Sequence, residues 1–360
     1  MLHLGRTGAG PRLARSIVRE LHKRADLQVH FGYSSASDTV RQNRDLPVSK
    51  LELLTYTDKW SFLRALLRSP WTAQRLRRFI RVNEIDVVVS PMWNPLQLVL
   101  LQFVRRIPYV SCVHDAQPHP GDGRAYAALL PLEVRRARSV VTFSTAVASA
   151  LRGRFPGKRI LETVHGAFTD DGTRRVEEPS SAERVRVGMF GRLSRYQGVD
   201  RFVDAIGLLR ADGLEFDAVI AGKGDTEVVE LARTSADIDW RLGWIAEDEV
   251  NSTVAGFDVL ALPYSEASQS GVFAVAIAEG VPIVATPVGG LVQQVTESGA
   301  GVLSDDLSSS SFAAAMKRLI VDPELRRSAS DSGQRAARTI YGWQAAGDVI
   351  EGEVRRIRKA

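Results

Sequence analysis

The stretch that decides the fold is residues 262–290, which read LPYSEASQSGVFAVAIAEGVPIVATPVGG. This order predicts a strand, a polar loop, a short helix, a second strand and a glycine-rich turn. The corner Ser270-Gly271-Val272 opens the predicted helix, so its first backbone amides lack helical acceptors and carry about half a positive charge. Gly280 and Pro282 end the helix and begin the next strand. Such a helix start can neutralise a diphosphate without a metal ion.

Short apolar runs alternate with helical patterns along the rest of the chain. The predicted strands are Met1–Leu4, Leu27–Phe31, Val87–Val89, Tyr109–Val113, Val140–Phe143, Ile160–Thr163, Val185–Phe190, Phe216–Ala221, Val259–Leu262, Pro282–Ala285 and Gly301–Leu303. Strands that are short, apolar on both faces and separated by helices indicate parallel sheets covered on both sides. Each half of the chain therefore predicts a doubly wound α/β domain.

The length of 360 residues exceeds one ordinary core and suits two domains. We predict an N-terminal domain over residues 1–178 and a C-terminal domain over residues 179–340, joined by the polar segment Thr169–Ser181. Residues 341–360 are predicted to form a helix that crosses back onto the first domain. The first strand is short at about four residues, which favours an initiation site upstream of Met1.

The composition excludes several classes of protein. Hydrophobic residues make up 44% and charged residues 25% of the chain, as in ordinary globular proteins. The single cysteine, Cys112, excludes an internal disulfide framework and a multi-cysteine zinc site. No run of about twenty apolar residues is long enough to span a bilayer, and the N-terminus lacks a signal-peptide core. We therefore expect a cytoplasmic protein with no nucleic-acid partner.

Charge is divided unevenly along the chain. Residues 1–179 carry 28 Lys and Arg against 16 Asp and Glu, whereas the remainder carries 19 against 26. In the basic half, the segment Lys59–Arg81 interleaves arginines with Trp60, Trp71 and several leucines. This pattern suits an interfacial helix on the anionic inner face of a membrane. It equally suits a helix that packs on the sheet with its basic face in water, and both interpretations stay open.

Two features of the first domain could bind a ligand. The first strand leads directly into Gly5-Arg-Thr-Gly8-Ala-Gly10, where backbone amides and a helix start could bind an anion. The same glycines could instead serve a tight turn required only for packing. His114 follows a strand, in a loop that also contains His119, and strand ends are where ligands collect in open α/β sheets. An imidazole there can bind a sugar hydroxyl or move a proton near neutral pH.

Three features of the second domain point to a nucleotide. A strand ends in Gly191-Arg192, and arginine suits a diphosphate because its fork makes charge-assisted bidentate bonds. A second strand ends in Gly222-Lys223-Gly224. Backbone amides of the stretch that contains Trp244 and Ile245 could read the edge of a base. None of the predicted strands is followed by the G-x-G-x-x-G pattern of an NAD-binding fold.

In combination, these residues resemble glycosyltransferase family 4 and its relatives of the GT-B fold. The resemblance rests on the N-terminal glycine loop, His114, Gly191-Arg192, Gly222-Lys-Gly224, Gly280-Val-Pro-Ile-Val-Ala-Thr286, Val288-Gly-Gly290 and Glu297. It implies two Rossmann-like domains that face each other across a cleft. It also implies a retaining, metal-independent transferase, with a nucleotide-diphosphate sugar held mainly by the second domain and the acceptor by the first. No cofactor is expected besides this co-substrate.

The sequence departs from the family pattern in its charged groups. The family usually places Lys-Gly about five residues after Gly-Arg, whereas Gln197-Gly198 stands here, with Arg195 nearby. The family also has two glutamates with seven residues between them, and the matching positions are Ala267 and Val275. One phosphate cation and the usual ribose contact are therefore missing at these positions.

Neighbouring polar residues are candidates to replace them. Glu266 lies one residue from the first glutamate position, and Gln269 and Ser270 could contact the sugar or the phosphates. We expect the catalytic residues to be Arg192, His114 and Glu266. The donor-binding residues are expected to be Gly8, Gly10, Gly191, Gln197, Gly222, Trp244, Ile245, Gln269, Ser270, Gly271 and Val272. The acceptor is expected to be a glycan or a lipid-linked molecule.

Two other functions fit the same pattern. A GT-B sugar-nucleotide epimerase would need several acid and base groups converging on the sugar, and only His114, Asp115 and His119 are available. A partner subunit that binds nucleotide sugars without transferring them would explain the missing lysine and glutamate.

Overall fold

The computed structural model describes residues 1–116, 124–168, 184–225, 227–228, 230–231 and 237–359, and the side chains of residues 124–127 are outside this description. The chain divides into two compact units, one formed by Met1–Val164 with Trp343–Ala360 and the other by His165–Gly342. The predicted boundary after residue 178 and the predicted linker Thr169–Ser181 lie outside the described residues.

The residues just before that gap pack with the second unit. The backbone N–H of Ala167 donates to the Tyr341 carbonyl at 2.6 Å, and that of Phe168 donates to the Ala274 carbonyl at 3.3 Å. The Asn251 amide in turn donates to the Phe168 carbonyl at 3.2 Å. These bonds fix where the second unit begins along the chain.

The described residues of the first unit include seven parallel strands in two adjoining sheets. The strands are β1 (Leu2–His3), β2 (His30–Ser34), β3 (Ser49–Leu53), β4 (Val88–Ser90), β5 (Tyr109–Val113), β6 (Ser139–Thr142) and β7 (Ile160–Glu162). The hydrogen-bonded orders are β1-β2-β3 and β4-β5-β6-β7, and β1 contacts β4. The chain moves outward from β1 on one side and from β4 on the other, so the carboxyl ends of β1 and β4 form the switch point where ligands collect.

Helices cover these strands on both faces. They are α1 (Ala9–His22), α2 (Val40–Arg44), α3 (Lys59–Leu67), α4 (Ser69–Val82), α5 (Pro95–Gln102), α6 (Arg124–Arg136) and α7 (Thr145–Arg154). One apolar cluster includes Leu96, Tyr109 and Val140, and a second includes Leu13, Cys112 and Val141. Burial raises the pKa of Cys112 to about 12, which agrees with an inert core thiol.

The C-terminal helix belongs to the first unit. This helix, α14 (Trp343–Lys359), packs on α1, with Ala346 and Ile350 in the same apolar cluster as Leu13. Its buried Glu353 carboxylate accepts a hydrogen bond from Arg159 Nε at 2.8 Å. Apolar packing and a charge-assisted bond therefore both hold the chain end in place.

In the second unit, the described strands form one parallel sheet of six strands. They are β8 (Arg186–Leu193), β9 (Asp217–Gly224), β10 (Asp239–Leu242), β11 (Val259–Leu262), β12 (Ile283–Ala285) and β13 (Gly301–Leu303), in the order β10-β9-β8-β11-β12-β13. Its described α-helices are α8 (Val199–Ala211), α9 (Val250–Ala255), α10 (Gly271–Glu279), α11 (Gly289–Ser298), α12 (Ser309–Val321) and α13 (Pro323–Arg338). The chain starts at β8, fills one side and then returns to β11 on the other, so the switch point lies at the carboxyl ends of β8 and β11.

Two strands were missed by the sequence prediction, and one was misplaced. In β3, buried Leu51 and Leu53 alternate with polar residues, which is the pattern of a strand with one covered face rather than two. The edge strand β10 has little apolar character because most of it is exposed. The second strand begins at His30 rather than at Leu27. Among the described residues, no helix is both long and apolar enough to cross a membrane.

Candidate functional site

The centre of the candidate site is the carboxyl end of β8, at the switch point of the second unit. Arg192 is exposed there, whereas the next residue, Leu193, is buried in the core beneath the sheet. In register with Arg192 on β9 stands Lys223, which is also exposed. Because side chains at paired positions of parallel strands project to the same face, the two cations lie side by side.

Glycines allow the strand ends to come together at this point. Gly191 and Gly222 are register partners with φ of 126° and 142°, values that side-chain-bearing residues rarely adopt. A Cβ on Gly222 would lie 1.9 Å from the Gly191 carbonyl oxygen. The position of a Cβ on Gly191 is 3.5 Å from Val272 Cγ2, so the first turn of α10 lies beside the end of β8.

The start of α10 is fixed by its cap. Ser270 Oγ accepts from the backbone N–H of Phe273 at 3.2 Å, and the Ser270 N–H donates to Gln294 Oε1 at 3.0 Å. The N–H groups of Gly271 and Val272 belong to the first turn and have no acceptor within the helix. These amides and the positive end of the helix dipole therefore lie close to the end of β8 and favour an anion.

A glycine turn positions the loop before α10. Gly289 and Gly290 begin α11, and the Gly290 N–H donates to the Ala267 carbonyl at 2.9 Å. A Cβ on Gly290 would lie 2.1 Å from the Ser268 carbonyl oxygen. The loop backbone is therefore held against this turn, with Glu266 exposed and Gln269 half-buried.

Gln197 supports the site rather than standing open to it. Its side chain is 9% exposed and lies within hydrogen-bonding range of Tyr264, which also interacts with Ser270. Burial raises the pKa of Tyr264 to about 12, and these two polar neighbours only partly oppose it. The nearby Arg195 cannot be counted as an isolated cation, because its Nε lies 3.6 Å from Glu227 Oε2.

The candidate base-reading residues follow the edge strand β10. The Gly243 N–H donates to the Gly222 carbonyl at 2.9 Å, which ties this turn to the end of β9. Trp244 is 57% exposed and Ile245 is half-buried. The order β10-β9-β8 thus arranges Trp244, Lys223 and Arg192 in sequence across the sheet edge. Lys223 is the member of this row that the sequence did not identify as a site residue.

One further acidic residue near this helix has a structural role. The carboxylate of Glu279, at the end of α10, accepts a hydrogen bond from Asn251 of α9. The same Asn251 amide bonds the Phe168 carbonyl. Glu279 therefore joins elements of the second unit.

In the first unit, the side chain of a buried histidine explains some of the glycines in the N-terminal glycine loop. His3, at the end of β1, is 2% exposed, and a Cβ on Gly5 would lie 2.5 Å from its Nε2. A Cβ on Gly10 would lie 3.0 Å from the same ring and 3.0 Å from Met92 Sδ. Packing therefore accounts for Gly10, whereas Gly8 has a φ of 79° and open space around its Cβ position, and its backbone N–H lies within hydrogen-bonding range of the Asp38 carboxylate.

His114 follows β5, next to the switch point of the first unit. Its Nε2 is 3.0 Å from the Pro91 carbonyl oxygen, and its ring stacks on Phe143 at 4.6 Å. A carbonyl can only accept, so Nε2 carries the proton and Nδ1 is the acceptor in the neutral ring. Burial lowers the pKa of His114, which favours that neutral form. His119, the second histidine of the predicted loop, lies outside the described residues.

The basic segment of the first unit has an exposed apolar stripe. Helix α3 turns Phe62, Ala65 and Leu66 towards the core. It leaves large side chains in water: Trp60 is 77%, Leu63 51%, Leu67 76% and Trp71, on α4, 67% exposed. Arg64 and Arg68 occupy positions between these residues. We call this surface the Trp60–Trp71 face. It borders a groove of about 650 Å³ that Arg75 also lines.

Comparison with known proteins identifies the family. Residues 184–322 match the family described as "Glycosyl transferases group 1", and residues 10–171 match "Glycosyltransferase Family 4". The chain is a family-4-like glycosyltransferase of the GT-B fold. Each of its two units thus corresponds to one half of this glycosyltransferase architecture.

The family-4-like chain has relatives of known activity at low identity. It is 25% identical over 207 residues to the 2-deoxystreptamine glucosyltransferase of Streptomyces kanamyceticus, covering 53% of each chain. It is 24% identical over 238 residues to the alpha-D-kanosaminyltransferase of the same organism, covering 62% of each chain. The matched region thus spans only about half to three-fifths of these relatives.

Solved structures share the fold over nearly the whole chain. Sucrose-phosphate synthase from Thermosynechococcus elongatus superposes with a TM-score of 0.74 at 16% identity, covering 99% of this chain and 96% of that one. HepE from Anabaena, in complex with UDP and glucose, superposes with a TM-score of 0.72 at 17% identity, covering 99% of each chain. At such identities the likeness concerns the fold.

Proposed function

We propose that this glycosyltransferase is a retaining, metal-independent enzyme that moves a sugar from a nucleotide-diphosphate sugar to a hydroxyl of a glycan or lipid-linked acceptor. The observation that carries the proposal is the arrangement at the second unit's switch point, where exposed Arg192 lies beside the first turn of α10. That arrangement suits a diphosphate. HepE, which shares the fold, is described in complex with UDP-glucose, and the curated relatives are sugar transferases.

The chemistry follows from where charge develops. The bond from the anomeric carbon to the diphosphate oxygen breaks, and negative charge builds on the leaving nucleoside diphosphate. Arg192 and the N–H groups of Gly271 and Val272 would stabilise this charge, and preorganised donors of this kind supply the largest catalytic contribution in many enzymes. The positive end of α10 adds to them without a metal ion.

Retention would follow from attack on the same face. The acceptor oxygen forms a bond to the anomeric carbon on the side from which the diphosphate departs, and the departing phosphate oxygen takes the acceptor proton. Glu266 is exposed on a surface loop, which suits contact with a sugar hydroxyl better than the role of a desolvated nucleophile. Gln269 would share that contact, and His114 Nδ1 would accept a hydrogen bond from a sugar hydroxyl.

The donor site is tested with a panel of UDP-, GDP-, ADP- and dTDP-sugars in thermal-shift and transfer assays. Sugars of one of these nucleotides should stabilise the protein, and Arg192→Ala should markedly reduce that shift. Arg335→Ala serves as the control, because Arg335 lies on α13 next to Gln334, which contacts the opposite end of α10. A donor shift that is unchanged in Arg192→Ala would show that the diphosphate binds elsewhere.

The reaction type is tested on the product. Nucleoside diphosphate should be released only when an acceptor is present, and transfer should continue after chelation of divalent metals. NMR of the product should show the anomeric configuration of the donor. Inversion at that carbon would contradict the mechanism, and turnover of the donor without any acceptor would indicate epimerisation or hydrolysis instead.

We also propose that the Trp60–Trp71 face binds an anionic membrane surface, which would bring the enzyme to a lipid-linked acceptor. Tryptophans and leucines suit the interfacial region of a bilayer, and interleaved Arg64 and Arg68 suit anionic head groups. Leaving four large apolar side chains in water is costly unless something covers them. The positive charge of this half of the chain favours an anionic lipid surface as that cover.

Vesicle flotation tests this surface. The protein should float with vesicles that contain 30% phosphatidylglycerol and not with pure phosphatidylcholine, as expected for electrostatic attraction. Trp60→Ser with Leu67→Ser should reduce flotation, whereas Val321→Ser, which removes an exposed apolar side chain from the second unit, should not. Absence of flotation at low salt would overturn the proposal. A concentration-dependent increase in mass that the double substitution abolishes would assign the face to a second copy instead.

A further inference from the structure

We infer that Lys223 binds the phosphate group next to the nucleoside, while Arg192 and the start of α10 bind the terminal phosphate. The inference rests on the proposed function and assigns a specific phosphate to each cation. A nucleoside diphosphate carries more negative charge than one arginine and one helix end can neutralise, so a second cation is required. On the loop after β8, Gln197 is neutral and largely buried, and Arg195 already faces the Glu227 carboxylate.

The strand register places Lys223 where this cation is needed. Lys223 is the direct partner of Arg192, because β9 pairs with β8 through Gly191↔Gly222 and Arg192↔Lys223. Both side chains are exposed and project to the same face. In the described part of the chain Lys223 has no ion-pair partner, so its ammonium group is not already neutralised.

The order of strands then assigns the phosphates. Trp244 follows the edge strand β10, Lys223 ends β9 and Arg192 ends β8, in the spatial order β10-β9-β8. Adjacent strands are about 4.8 Å apart, so Lys223 lies between the positions of Trp244 and Arg192 along this row. A base at Trp244 and a terminal phosphate at α10 therefore leave the first phosphate beside Lys223.

The glycines on either side of Lys223 are consistent with close approach of a ligand. A Cβ on Gly222 would collide with the Gly191 carbonyl, and a Cβ on Gly224 would lie 2.8 Å from Val228 Cγ1. Both neighbours therefore lack side chains for reasons of packing. As a result, the lysine is not flanked in sequence by side chains that would crowd its ammonium group.

The test uses isothermal titration calorimetry to compare the affinities of a nucleoside, its monophosphate and its diphosphate. Their base is the one whose nucleotides bind the wild-type protein. Lys223→Gln should weaken the monophosphate and the diphosphate about tenfold each, equivalent to ~1.4 kcal/mol. Arg192→Gln should weaken the diphosphate about tenfold and change the monophosphate less than about twofold. Lys223→Arg should retain most of the affinity, because it keeps the charge.

The controls separate charge from folding. Lys317→Gln removes an exposed lysine of the same unit that pairs with Asp212, and it should bind all three ligands like the wild type. The difference between Lys223→Gln and the wild type should shrink at 1 M salt, where the Debye length falls to about 3 Å. Nucleoside affinity should be the same in every variant, since no phosphate is present.

Two outcomes would overturn the reasoning at different levels. Monophosphate affinity that is unchanged in Lys223→Gln, or a loss that is equally large for the nucleoside, would refute the role of Lys223 alone. Failure of the wild-type protein to bind a nucleotide of any base series would refute the proposed function, and this inference with it.

Discussion

Exchange of Gly222 for alanine should reveal how closely the ends of β8 and β9 approach. The new Cβ would lie 1.9 Å from the Gly191 carbonyl oxygen, and this obstacle is backbone, which cannot rotate aside as a flexible side chain can. Residue 222 would also keep a φ of 142°, which side-chain-bearing residues rarely adopt. Strain of this kind costs about 1–3 kcal/mol, and separation of the strands adds to it.

We therefore expect Gly222→Ala to lower the free energy of unfolding by about 3 kcal/mol. For a unit of this size that corresponds to a decrease in Tm of about 6–12 °C. The variant should also bind nucleoside diphosphate more weakly, because the residues that follow the two glycines, Arg192 and Lys223, would be displaced.

The matched control is another exchange of glycine for alanine, at a position where the free energy of unfolding should rise instead of fall. Gly207 lies on the exposed side of α8, and a Cβ there would have nothing within 4 Å. Gly207→Ala should raise the stability by about 0.5–1 kcal/mol, because alanine loses less backbone entropy in a helix. Calorimetry and urea unfolding measure both variants. If Gly222→Ala were as stable as the wild type, the close approach of Gly191 and Gly222 would be disproved.

Three further predictions concern stability. Burial lowers the pKa of His3 to about 4, whereas the same side chain has a pKa of about 6.5 in the unfolded chain. The free energy of unfolding should therefore fall by about 3 kcal/mol as the pH drops from 6.5 to 4. His3→Gln should remove this dependence on pH, and His22→Gln should not. If urea unfolding showed the same acid sensitivity in the wild type and both variants, the prediction would be contradicted. Ser270→Ala should cost about 1 kcal/mol through loss of the cap of α10 and weaken nucleoside diphosphate binding, and an unchanged urea midpoint would argue against the cap. Glu353→Gln should destabilise the first unit by about 2 kcal/mol, which is less than the loss of a fully buried ion pair costs, because Arg159 is half exposed. Unchanged hydrogen-exchange protection of residues 343–359 would refute this prediction.

The parts of the fold that sequence reasoning predicted depend on local patterns. The apolar runs of β5, β6 and β11 are buried on both faces, so their composition alone indicates parallel strands between helices. Strand β3 alternates and β10 is exposed, so neither carries that signature, and pairing with a neighbouring strand is what defines them. Strands covered on both faces could therefore be predicted from the sequence, whereas the half-covered strand β3 and the edge strand β10 could not.

The candidate site divides in the same way. The start of α10 was visible because Ser270 is a favourable cap and Gly280 ends the helix with φ of 70°, both consequences of residues a few positions apart. The role of Gly10 was ambiguous, since only the fold brings the ring of His3 against it. From the sequence, Gln197 occupies the place of the family's lysine and is expected to contact the donor. Its burial beside Tyr264 depends on the loop after β11, which is distant in sequence.

The sequence by itself determined the doubly wound architecture, the helix start at Ser270–Val272 and the arginine at the end of β8, because hydrophobic periodicity, capping and turn formation act over a few residues. Only the tertiary structure decided which side chains are neighbours. Arg192 and Lys223 are 31 positions apart and meet because β8 and β9 pair in one particular register. Pairing register depends on the packing of the whole sheet, so it could not be deduced from either strand alone.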